Sequence, residues 1–80
     1  MNIQLIQGEF SPEDTLELIT QMIHIKIKYH ENKISQNSNE EDVKYRESKI
    51  KRLQQELYEL RNSMSEKNKN VKIDAIIKID

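Results

Sequence analysis

The stretch SQNSNEED, residues 35–42, decides the fold, because it interrupts an apolar pattern that otherwise runs at helical spacing on both sides of it. Before it, Leu16, Ile19, Ile23, Ile27, His30 and Ile34 follow one another every three or four residues. After it, Val43, Arg46, Ile50, Leu53, Leu57, Leu60 and Met64 do the same. Each set is a narrow seam along one side of a helix. If the chain reverses within the polar break, Leu16 faces Leu60, Ile19 faces Leu57, Ile23 faces Leu53, Ile27 faces Ile50, His30 faces Arg46 and Ile34 faces Val43. A short connection between two seams in one register specifies an antiparallel helical hairpin. The rival is a parallel coiled-coil dimer through the second helix alone, and Arg46 at a core slot weakens it. Within the seam, Arg46 is a charge among apolar residues, so its replacement by leucine is expected to be neutral or stabilising.

Both helices carry start signals. In GEFSPED, residues 8–14, Ser11 is placed to cap, Pro12 to take the first helical position, and Glu13 and Asp14 to sit at the positive end of the dipole. Gly8, a single glycine ahead of the helix, reads as a strand-to-helix turn and not as a phosphate loop, which needs repeated glycines. Ser38 with Glu41 forms a capping box for the second helix, and Asn39 is the competing cap. These signals predict helices over about 12–35 and 40–66.

The two ends alternate as strands do, over about 2–8 and 71–79. In NVKIDAIIKID, residues 70–80, Val71, Ile73, Ala75, Ile77 and Ile79 share one face, and Ile76 interrupts the polar series Lys72, Asp74, Lys78 and Asp80 on the other. In the first strand Ile3 and Leu5 alternate with Asn2 and Gln4, and Ile6 is again the exception. Pairing Ile3 with Ile79, Leu5 with Ile77 and Ile6 with Ile76 brings the two exceptions together. A second apolar stripe on the first helix, Leu18, Met22, Ile25 and Tyr29, calls for a second neighbour, which the sheet supplies. The predicted fold is α+β: a single β-α-α-β domain over residues 1–80, with an antiparallel helical hairpin packed on a two-stranded antiparallel sheet.

Composition narrows the chemistry. The absence of cysteine removes disulfides, thiolate nucleophiles and thiolate-bound zinc together. His24 and His30 fall on different sides of one helix, with no His, Asp or Glu at the three- or four-residue spacing of a helical metal pair, so no metal or cofactor is expected. Serines and carboxylates sit at helix starts and in the loop, where capping explains them, and a non-catalytic protein is expected. MNIQLIQGEF lacks the basic start of a signal peptide and no run is apolar enough to span a bilayer, so a cytoplasmic protein without a membrane association is expected. The abundance of Ile, Lys and Asn fits an AT-rich bacterial or phage genome.

Two functional readings follow. The first is a protein–protein interaction or assembly module, a homodimer joined through the terminal-strand sheet, with Ile6, Lys72, Asp74, Ile76 and Lys78 as the candidate surface. An extended segment of another protein, added as a strand, is the other occupant of that surface. The alternative is a small nucleic-acid-associated regulator using Lys44, Lys49, Lys51 and Arg52 of the second helix. A net charge of −1 and the spread of these residues around the helix make this the weaker reading.

Overall fold

Ser11 and Asn39 set where the helices begin. In the computed structural model, which describes residues 1–36 and 39–80, Ser11 Oγ accepts a hydrogen bond from the Asp14 N–H at 3.1 Å and opens α1 (Pro12–Ser35). The cap occupies a donor that the helix itself cannot use, and the Glu13 and Asp14 carboxylates meet the positive end of the dipole. α2 (Glu40–Ser65) opens from Asn39, whose Oδ1 accepts from the Glu41 N–H at 2.9 Å and the Asp42 N–H at 3.2 Å. Asn39 thus takes the role expected of Ser38, which lies outside the described residues.

The helices are flanked by β1 (Asn2–Phe10) and β2 (Val71–Lys78), which pair antiparallel as a two-stranded sheet. The fold is α+β, in the order β1-α1-α2-β2, with the helical hairpin packing on the sheet through α1. His30 meets Arg46 across the hairpin, which places the seam in the register expected of it.

The sheet register differs from the expected one. Asn2, Ile3 and Gln4 lie opposite Lys78, Ile77 and Ile76, whereas Ile6, Gln7, Gly8, Glu9 and Phe10 lie opposite Ala75, Asp74, Ile73, Lys72 and Val71. Leu5 is the extra residue of a bulge between Gln4 and Ile6. An inserted residue exchanges the two faces of the strand beyond it. Ile6 therefore shares a face with Phe10, Val71, Ile73 and Ala75, all half-buried, while Ile76 points the other way. The expected Ile6–Ile76 pair does not form. The Gln4 side chain spans the irregularity: its Nε2 lies 2.8 Å from Asp74 Oδ1, 3.0 Å from Ile6 O and 3.2 Å from Ala75 O, so two protons serve three acceptors.

Gly8 is not the turn into the helix. β1 continues through it to Phe10, and Ser11 alone makes the connection. Its φ of +144° is a conformation that residues with a Cβ rarely adopt. Space is not the constraint, since a Cβ there would meet the Phe10 ring at an ordinary 3.7 Å.

Among the described residues, the buried apolar side chains are Leu53 and Leu57, each 7% exposed and both on α2 facing the seam. Thr15 is buried where α1 leaves the sheet, and its Oγ1 has no hydrogen-bond partner among the described residues. The sheet covers only the beginning of the second α1 stripe. Leu18 and Met22 are half-buried, but Ile25 is 71% exposed and Tyr29 53%, so the sandwich expected for this helix is incomplete. The extents of 46 × 33 × 13 Å and the 15.2 Å radius of gyration fit this arrangement. The strand pair and the helical hairpin meet where Phe10 passes to Pro12 and diverge from there, and a compact chain of this length has a radius near about 12 Å.

Gly8→Ala isolates the backbone term. Strain at a positive φ costs ~1–3 kcal/mol, which lowers the thermal midpoint by roughly 4–8 °C per kcal/mol in a domain of this size. A calorimetric midpoint equal to that of the parent protein contradicts the assignment.

Candidate interaction surface

The outer end of the strand pair is the most apolar part of the exposed surface. Ile3 and Ile77 are cross-strand neighbours, and Met1 and Ile79 exchange backbone hydrogen bonds of 2.7 and 2.8 Å beyond them. Ile3, Leu5, Ile77 and Ile79 are each between 40% and 50% exposed. Two facts of sequence produce this. The odd-numbered residues of β2 stay apolar past the point where α1 stops covering them, and the bulge returns Ile3 to the face of Ile77.

The candidate surface residues divide accordingly. Lys72, Asp74, Ile76 and Lys78 are exposed on the outward face of β2, opposite Glu9, Gln7, Gln4 and Asn2. Asp74 is occupied by Gln4. Ile6 belongs to the opposite face and is half-buried there, so it does not join them. The residues that sequence reasoning missed are Ile3, Leu5, Ile77 and Ile79, which it assigned to the covered face.

The basic residues of α2 divide as well. Lys49 and Arg52 line one depression with Lys26, Leu53 and Glu56, and Arg52 Nε lies 3.4 Å from Glu56 Oε1. Lys49 Nζ is 5.2 Å from the centre of the Tyr45 ring. Lys44 lines a different depression, with Glu40, Val43 and Glu47. By helical spacing Lys51 falls on the same side as Lys44, away from Lys49 and Arg52. The four do not form a single basic stripe.

At the loop end of the seam lies a polar layer. Arg46 Nη1 is 3.1 Å from His30 Nδ1, and Arg46 Nε is 3.0 Å from Asp42 Oδ2. A guanidinium can only donate, so Nδ1 accepts and the neutral imidazole carries its proton on Nε2. The Tyr29 ring packs edge-on against His30, with centroids 5.6 Å apart, and Arg46 and Lys33 approach its π-system at 5.8 and 5.7 Å. Burial lowers the His30 pKa from its ordinary value of 6.5, and the positive charges of Arg46, Lys26 and Lys49 lower it further. With Nδ1 committed to Arg46, this histidine is structural. Among the described residues there is no cluster of three or more His, Cys, Asp or Glu side chains able to hold a metal, and no helix long and apolar enough to cross a membrane.

Comparison with known proteins finds no matching family model, no similar curated protein and no similar solved structure.

The polar layer changes what is expected of Arg46→Leu. With His30 8% exposed, the single substitution strands a buried acceptor and costs ~1–3 kcal/mol, instead of being neutral. The double substitution His30→Leu with Arg46→Leu removes both partners and recovers most of that loss, as urea unfolding of the two variants would register. If the double variant were no better than the single one, the His30–Arg46 bond would not be the source.

The same layer sets a pH dependence. Because the folded-state pKa of His30 lies below the unfolded value of 6.5, acid protonates the unfolded chain first. The His30 contribution is complete above that value and is lost as pH falls through it toward the lowered folded value. Unfolding midpoints should decline as the pH falls through the unfolded value of 6.5, and His30→Leu should flatten the decline. An equal slope in that variant would assign the effect to other groups.

Proposed function

We propose that this chain is a non-catalytic assembly module that works as a homodimer, joined through the outer end of its strand pair. The observation that carries the reading is surface area. The chain exposes 6548 Å², whereas a compact monomer of its 9.6 kDa mass exposes about 5,100 Å². Exposed apolar side chains contribute to it, among them Ile3, Leu5, Ile77 and Ile79 on the strands and Ile25 and Tyr29 on α1. Exposed apolar surface of that kind is characteristic of an interface.

The sheet supports the same reading. Two strands rarely form an independently stable sheet, and each strand here has one neighbour and one open edge. A second copy is the favoured occupant because it is always present at the concentration of the first and needs no further gene product.

Sedimentation at tens of micromolar tests this. The parent protein should run as a dimer and Ile77→Asp as a folded monomer, while Gln7→Ala, on the outward face, should leave the dimer intact. A monomeric parent overturns the homodimer. Retention of a defined foreign segment by that monomer would assign the surface to strand addition instead.

A further inference from the structure

The distribution of bare apolar residues over the two arms of the molecule is informative. Measured from Phe10 and Pro12, the residues that flank the corner, the strand arm reaches Ile3 after about 23 Å at the rise of a β-strand. The helical arm reaches Ile25 to Tyr29 after about 20–26 Å at the rise of an α-helix. Each arm is half-buried near the corner, at Phe10 and Val71 on one and Leu18 and Met22 on the other, and bare at about the same distance from it. Because the arms diverge, the bare ends of one copy cannot meet each other. Two copies facing about a two-fold axis can bring each strand tip to the bare stretch of the partner's helix, and arms of equal reach allow both contacts to close at once.

We infer that the homodimer closes by reciprocal docking, with Ile3, Leu5, Ile77 and Ile79 of each copy seated on Ile25 and Tyr29 of the other. This rests on the assembly reading above and adds the geometry to it. Edge-to-edge pairing of strands would satisfy backbone donors and acceptors but leave both apolar faces wet. Packing strand face on strand face would cover the tips and leave Ile25 and Tyr29 bare. Reciprocal docking covers both patches with one contact, made twice. The area agrees: the surplus of about 1,400 Å² per chain lies within the roughly 1,000–2,500 Å² that each partner buries in an obligate dimer.

The chain has no cysteine, so introduced ones report without background. Ile25→Cys and Ile77→Cys chains are prepared separately, mixed, allowed to exchange subunits and oxidised, so that any disulfide joins two copies. Reciprocal docking brings the two positions within disulfide reach, Cβ atoms about 4 Å apart, and the mixture should yield at least about five times more cross-linked dimer than either chain alone. Tyr29→Cys, one turn along, repeats the test where Ile25 is off-register. Efficient linking of Ile77→Cys to itself, with none to Ile25→Cys or Tyr29→Cys, overturns reciprocal docking and assigns the dimer to its strands. A dimer by sedimentation that forms none of these links also overturns it. A parent protein that sediments as a monomer fails at the earlier step, which separates the loss of the homodimer from the loss of this geometry.

Discussion

The seam between α1 and α2 holds the molecule together, because among the described residues the buried apolar side chains lie in it. Leu53 and Leu57 lie at its centre, and fully burying a leucine is worth ~1.5–3 kcal/mol. The polar residues around the seam help by fixing its ends: Ser11 and Asn39 occupy helix N–H groups, and the His30–Arg46–Asp42 layer closes the loop end. The strand pair contributes backbone hydrogen bonds but buries little. Its stability is therefore borrowed from the helices at the Phe10–Pro12 corner.

The parts of the fold that were legible in the sequence are those with a long, uninterrupted period. Two helical seams of many turns each leave one hairpin register that keeps every apolar position inward, and His30 opposite Arg46 follows from it. The sheet register was misread because the first strand is short and changes phase. Ile3 and Leu5 hold one phase, Ile6 and Phe10 the other, and two adjacent apolar residues at the change are what a bulge leaves in a sequence. Taking Ile6 as an outward exception kept the strand regular and put it on the wrong face. Gly8 offered the same clue, since a glycine within a strand pattern marks irregular backbone as readily as a turn. The candidate surface was hidden for a different reason: Ile3 and Ile77 lie on the expected face, but the helices do not extend far enough to cover them.

The polar layer and the bulge are both departures from the simplest pattern, and each restricts alternatives. A hairpin slipped by one turn would bury Arg46 against an isoleucine and leave His30 without a donor, so the layer opposes wrong registers at some cost in burial. The bulge does the corresponding work in the sheet. Without the extra residue at Leu5, either Ile3 or Ile6 would face outward; with it, both share the face of Ile73 and Ile77. Gln4 supports the distortion by bonding across it, which makes the irregular backbone a fixed feature of the strand.

In the proposed dimer these devices act on each other. The bulge presents Ile3 beside Ile77, and the hairpin register fixes where Ile25 and Tyr29 lie along α1, so the match between the arms depends on both registers being correct. Tyr29 ties the two together, since its ring packs on His30 and takes the Arg46 cation while the residue stays exposed on the bare stripe. A partner docked on that stripe would bind the folded chain and not the unfolded one, which raises stability with concentration. Folding and assembly then become one equilibrium: the seam is sufficient to define the helices, and the second copy supplies the burial that the strand pair does not find within its own chain.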